Sequence, residues 1–148
     1  MTTIRGFDLP DNLHYWIEKH VWVAPLGGGL TRLGLTPVAY HLLRDTLVAI
    51  SVRPKVLGNE VIKGKSIAMV ESLKYIGPLP APFTGVVERA NEMVQVDPDQ
   101  AAMDPYGAGW IAEMRTADWE SAAAGLSTGE AALIAYRALL EAQNIHRE

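Results

Sequence analysis

The 148-residue chain reads as a mainly β protein of sandwich or barrel-like form, with one short internal helix and one C-terminal helix. Three observations predict this. Short apolar runs, several of them alternating or β-branched, recur between Gly and Pro turns, the pattern of many short strands. Pro78, Pro80 and Pro82 rule out a helix or a central strand where they stand. Helical spacing of apolar residues is confined to one stretch near the end.

In chain order, residues 1–15 are mixed, with a turn at Pro10, Asp11 and Asn12, and are expected to form an N-terminal arm over the surface. Residues 16–148 are expected to form a single domain. Residues 16–23 suit a strand, with Trp22 between the β-branched Val21 and Val23. Gly27, Gly28 and Gly29 predict a turn, and lack the Gly-Lys-Ser/Thr ending of a phosphate loop. A strand over 30–35 follows. Thr36 and Pro37 read as an N-cap and first helical position, opening a short helix to about Arg44. Residues 47–52 alternate, placing Val48, Ile50 and Val52 on one side. Pro54, Gly58-Asn59 and Gly64 mark turns. Residues 67–72 form a further strand with Ala68 and Val70 on one face, and 85–90 another. Ser127 and Glu130 have capping-box spacing, and Leu133, Tyr136 and Leu140 recur at helical spacing, predicting a helix over 129–143.

Composition narrows the function. Hydrophobic residues make up 49% and charged residues 20%, as in ordered soluble domains. A net charge of -4 argues against a nucleic-acid surface. There is no cysteine, so neither a disulfide framework nor a thiolate metal site is possible, and any redox sulfur must be attached from outside. The four histidines, His14, His20, His41 and His146, lack zinc-ligand spacing and are read as surface or packing residues. The start lacks the apolar core of a secretory signal, and no apolar run reaches the roughly 20 residues of a membrane span. The expectation is a cytoplasmic protein without membrane association.

The chemistry-bearing stretch is Val70-Glu71-Ser72-Leu73-Lys74. A strand delivers a lysine and a proline-rich return follows. An exposed lysine is usually only a solvated charge. A modifying enzyme can convert its amine to an amide, removing the charge and adding a long arm.

Glu71-Ser72-Leu73-Lys74 resembles the Glu-Ser-Val-Lys signature around the lipoyl lysine of glycine-cleavage H proteins. The likeness runs along the chain in order. Lys19-His20-Val21-Trp22-Val23 resembles the family's His-x-Trp-Val strand. Gly34-Leu35-Thr36, with Ala39, Leu43 and Asp45, resembles its Gly-Ile-Thr segment and short helix. Gly64, then Pro82 and Gly85, then Asn91, fall at its turn, return and Val-x-x-x-Asn positions. Asp104-Pro105-Tyr106-Gly107-Ala108-Gly109-Trp110 matches its Asp-Pro-Tyr-Gly-x-Gly-Trp element, which is read here as a turn with a packed indole.

The resemblance implies the barrel-sandwich hybrid of lipoyl and biotinyl domains. It implies lipoate amide-linked to Lys74, and a non-catalytic carrier subunit of a multi-enzyme system. Glu71 would be a local contact for the ligase or for the bound arm. Lipoate ligase or lipoyl transferase would load the protein, and dihydrolipoyl dehydrogenase would be among its partners. An apolar cleft within reach of Lys74, walled by the short helix, is expected as a resting place for the arm.

One segment departs from the family. Small and polar residues, often Ala-x-Ser-Asp, usually follow the lysine, but here stand Tyr75, Ile76, Gly77 and Pro78. These four are the expected partner-docking residues. An apolar, stiffer flank is similar to what a different partner set would need. It favours the branch of H-like lipoate-binding proteins that serve sulfur oxidation with a heterodisulfide-reductase-like complex. The alternative is an authentic glycine-cleavage H protein carrying an aminomethyl group between the glycine cleavage enzymes. A biotin carrier or an unmodified interaction module is a second alternative; biotin sites usually have methionines beside the lysine, whereas Leu73 and Tyr75 flank Lys74.

Overall fold

The computed structural model describes residues 2–44 and 46–147. Asp45, which belongs to the resemblance, lies outside the described residues. The chain is mainly β, as expected, with short helices at its edges. Strands β1 (Thr3–Ile4) and β2 (Phe7–Asp8) form a small hairpin. β3 (His14–Trp16), β4 (Val21–Gly27) and β5 (Leu30–Leu35) follow. Helix α1 (Pro37–Leu42) leads to β6 (Leu47–Val52), β7 (Glu60–Val61), β8 (Ser66–Ser72), β9 (Ile76–Pro80) and β10 (Gly85–Ala90). Helices α2 (Glu92–Val96) and α3 (Asp99–Met103) precede β11 (Ala112–Arg115). Helix α4 (Trp119–Ala124), β12 (Ser127–Thr128) and helix α5 (Gly129–Ala142) complete the order. One sheet runs β12-β3-β4-β5-β11-β10-β7 and a second runs β6-β8-β9.

Strand alternation distributes the core. Val21 and Val23 of β4 join the cluster between the two sheets, with Leu33 and Leu35 of β5, Ile50 of β6 and Val70 of β8. Trp22, between the two valines, points to the other face and joins a second cluster with Tyr15, Val38, Tyr136 and Leu140. Opposite Trp22 in the ladder stands Gly34. A Cβ there would lie 3.0 Å from the indole nitrogen, so the glycine makes room for the ring. The segment read as an N-terminal arm contributes Ile4, Phe7 and Leu9 to this second cluster.

Several expectations are corrected. Residues 16–23 are not one strand. A 3-10 turn at Ile17–Lys19 and a left-handed His20 (φ 57°) reverse the chain, so that β3 and β4 become antiparallel neighbours. Val48 is exposed, because a bulge between Leu47 and Ala49 shifts the β6 register. Thr36 precedes α1 but does not cap it; its hydroxyl turns to the Tyr136 hydroxyl at 2.8 Å. The capping box at Ser127 and Glu130 does not form either. Ser127 pairs with Tyr15 in β12, and Thr128, at the cap position, gives its hydroxyl to the Leu13 carbonyl at 2.7 Å. The C-terminal helix itself is as expected, with Leu133, Tyr136 and Leu140 buried. Pro78 and Pro80 lie within β9, which is an edge strand, where a missing N–H leaves no ladder bond unmade.

Candidate functional site

The Lys74 hairpin is built by β8 and β9. Val70 pairs with Gly77 and Glu71 with Ile76, which leaves Leu73, Lys74 and Tyr75 in the turn beyond buried Ser72. The Ser72 N–H donates to the Tyr75 carbonyl at 2.7 Å, and its hydroxyl donates to the same oxygen at 3.3 Å. The Leu73 N–H donates to the Thr46 carbonyl at 3.2 Å, tying the tip to the chain that follows α1. Ser72 therefore fixes the turn, and Lys74 projects from it, exposed. No hydrogen bond or ion pair engages the Lys74 side chain among the described residues. Its neighbours are also open: Leu73 is 75%, Tyr75 58% and Ile76 61% exposed.

The flank has an internal contact that the sequence did not reveal. The Tyr75 ring folds back over Gly77. A Cβ at position 77 would meet the Tyr75 hydroxyl and lie 2.7 Å from two ring carbons. Gly77 is therefore the floor under the tyrosine, and Pro78 continues the edge strand beyond it.

Beside the hairpin lies an open cleft of about 250 Å³. Ala39, Leu42 and Leu43 from the α1 segment form one wall, Leu35 and Val70 the floor, and Tyr75, Gly77 and Pro78 the hairpin side. Lys19 and His20 close the remaining side. The sequence placed Lys19 only within the resemblance and His20 there and among the surface or packing histidines, and foresaw neither as a cleft residue. Burial pushes the His20 imidazole down to a pKa of about 4, so it is neutral at neutral pH. Its Nδ1 lies 2.6 Å from the Tyr136 hydroxyl, which continues to Thr36 Oγ1 at 2.8 Å. That chain locks the ring. The Tyr136 phenol is pushed upward by burial.

Glu71 is exposed on β8 and is not among the residues lining the cleft. His14 and His41 make edge contacts with Trp119 and Phe7, and no group of three or more His, Asp or Glu that could hold a metal occurs among the described residues. The Asp104–Trp110 stretch shapes a turn, as expected. The Asp104 carboxylate accepts the Ala108 N–H at 3.0 Å, and its carbonyl accepts the Gly109 N–H at 2.8 Å. Asn91 donates its amide to the Ala108 and Trp110 carbonyls at 2.8 and 2.7 Å. The Trp110 ring packs against the guanidinium groups of both Arg32 and Arg89.

A β domain that presents a lone lysine on a pinned hairpin, next to an apolar cleft, has the form of a carrier of a covalent arm. The comparisons agree and narrow the class. The sequence profile of the family described as glycine cleavage H-protein matches residues 14–137. Glycine cleavage system H protein 2 of Aquifex aeolicus is 34% identical over 96% of this chain and 86% of its own length. The probable glycine cleavage system H protein 2 of Sulfolobus acidocaldarius is 32% identical over 98% of this chain and 96% of its own. The crystal structure of a glycine cleavage system H protein from Mycobacterium marinum superposes with a TM-score of 0.71 at 27% identity, covering 93% of this chain and all of that one. The chain belongs to the glycine cleavage H-protein family. Proteins of this family are lipoyl carriers, with lipoate attached covalently to a lysine, and they work with glycine cleavage enzymes and a lipoyl ligase.

Proposed function

We propose that Lys74 carries the lipoyl group, and that the cleft between α1 and the hairpin is its resting place. The observation that carries this reading is the exposed, unpaired Lys74 on a turn fixed by Ser72, directly beside that cleft. The residues fit the group. Its apolar ring finds a wall of Ala39, Leu42, Leu43 and Val70, where burial is favourable by roughly 25 cal/mol per Å². When bound, lipoate supplies a reversible dithiol–disulfide pair on a long tether. The chain itself supplies presentation, shelter and recognition. Glu71, exposed one strand position from Ser72, is a contact for the loading ligase or lipoyl transferase. The protein acts as a non-catalytic subunit in the cytoplasm, with neither nucleic acid nor membrane as partner. No described helix is long and apolar enough to cross a membrane.

For the partner system we favour sulfur oxidation with a heterodisulfide-reductase-like complex. The support is the flank of Lys74. Tyr75 and Ile76 present apolar surface where partners read the carrier, and Gly77 and Pro78 offer no side-chain hydrogen bond. A partner built to bond a Ser and an Asp there would bury unpaired groups, at about 1–3 kcal/mol each. The second reading, an authentic glycine-cleavage H protein served by dihydrolipoyl dehydrogenase, has the names of the relatives in its favour. Lipoylated protein assayed with a complete set of glycine-cleavage enzymes separates the two. The favoured reading expects no glycine turnover, and turnover after Tyr75→Ala, Gly77→Ser and Pro78→Asp are combined. Ordinary turnover by the unaltered protein would reject it.

A further inference from the structure

The cleft has a charge pattern that bears on what the arm holds. Its walls are apolar apart from Lys19 and His20, which close one side, and the uncharged phenol of Tyr75 on the hairpin side. His20 is neutral and tied to Tyr136. No described residue lining the cleft is a carboxylate. Glu71 follows Val70 on β8, and strand alternation turns it to the opposite face. Glu18 precedes Lys19 but does not line the cleft. Lys19 is exposed, and no ion pair holds it among the described residues. Once Lys74 is an amide its own charge is gone. Lys19 is then the one side-chain cation among the described residues of the cleft.

We propose that this cleft selects the charge at the tip of the arm, sheltering an anionic or neutral sulfur-bearing end and turning away an ammonium, with Lys19 as the positioning residue. This rests on Lys74 being the arm-bearing lysine. An ammonium entering the cleft would give up hydration without gaining a carboxylate among these walls, and would face Lys19. A sulfur-centred anion would keep its charge at the Lys19 rim while its chain covers Val70 and Leu43. The cargo class that fits is therefore a sulfur anion, not an amine.

The absence of cysteine makes the test clean, because thiol reagents label only the arm. Lipoylated protein is reduced with a phosphine and divided in three. Iodoacetate, iodoacetamide and bromoethylamine are then added, each losing halide to the arm's thiolates and leaving thioethers that end in a carboxylate, an amide or an ammonium. Backbone amide shifts of His20, Ala39, Leu43 and Val70, referenced to unlipoylated protein, report how much of each arm is seated. One exposed charge changes such a population by a factor of roughly 1.5 to 5. Since it attracts one arm and repels the other, the carboxylate arm should be seated roughly two- to twentyfold more than the ammonium arm. Lys19→Gln should bring the ratio close to one, Lys19→Arg should keep it, and about 1 M salt should shrink it. Equal or better seating of the ammonium arm, or a ratio unmoved by Lys19→Gln, would overturn the proposal. So would shifts that none of the three arms changes. In that case a mass spectrum placing the arm on Lys74 would leave the carrier reading intact, whereas an arm found on another lysine would remove the ground of both.

Discussion

Placing a serine at position 77, where the family usually has one, should destabilise this protein, and Tyr75 is the reason. The new Cβ would lie 2.7 Å from two carbons of the Tyr75 ring, well inside contact distance. Something must move, and the 58%-exposed ring is freer than the backbone of β8 and β9. Swinging out, it gives up what contact it has. An aromatic side chain buries about 150–250 Å² when fully covered. The covered two fifths of this one then amount to roughly 60–100 Å², worth at most about 1.5–2.5 kcal/mol at 25 cal/mol per Å² if all of it is lost. Gly77→Ser should therefore cost about 1–2 kcal/mol in the native background. Once Tyr75→Ala has removed the ring, it should cost almost nothing more. Urea unfolding of the native protein, both single variants and the double variant gives the coupling energy directly, since neighbours in contact are not additive. A coupling near 1–2 kcal/mol is expected. Additive effects within about 0.3 kcal/mol would show that the ring does not rest on Gly77, and would undo the account of the flank.

Other consequences follow from buried positions. Gly34→Ala should lower the thermal midpoint, costing about 1–3 kcal/mol by overpacking, because its Cβ meets the fully buried Trp22. Asn91→Ala should cost about 2–3 kcal/mol in calorimetry, since it strands two carbonyls and removes the cap that accepts the Met93 N–H at 3.1 Å. Stability should also depend on pH through His20. Its native pKa of about 4 lies below the ordinary 6.5, so between these values the unfolded chain binds a proton that the native one does not. The contribution is full above about 6.5 and is lost as pH falls toward 4, by up to about 3 kcal/mol. Midpoints measured across that window should fall with acid, and His20→Gln should flatten the slope.

Much of this architecture was legible because period-two alternation survives tertiary packing. The strands over 30–35, 47–52 and 85–90 and the C-terminal helix stand where alternation, turns and helical spacing put them. What failed did so for local reasons. The reversal at Ile17–Lys19 uses a left-handed histidine in place of glycine, so nothing in the apolar run announced it. Helices α2 and α4 are too short for periodicity, and only their caps, Asn91 and Asp118, could have signalled them. Thr36 and Ser127 read as caps, but more distant partners claim them. At the site, Lys74 stood out only through resemblance, because a lone exposed lysine carries no pattern of its own. Lys19 and His20 reach the cleft from a remote turn, and the Tyr75 ring over Gly77 is a matter of side-chain direction, which spacing does not encode.

Under the proposed function one lysine of this chain, Lys74, bears the arm. The most direct test is lipoylation of the native protein and of Lys74→Arg by a lipoate ligase, followed by intact mass and peptide mapping. A single lipoyl group is expected on the native protein, located on Lys74, and none on Lys74→Arg, which should fold and unfold like the parent. A lipoyl group mapped to Lys63, Lys65 or any other lysine, or undiminished loading of the variant, would contradict it.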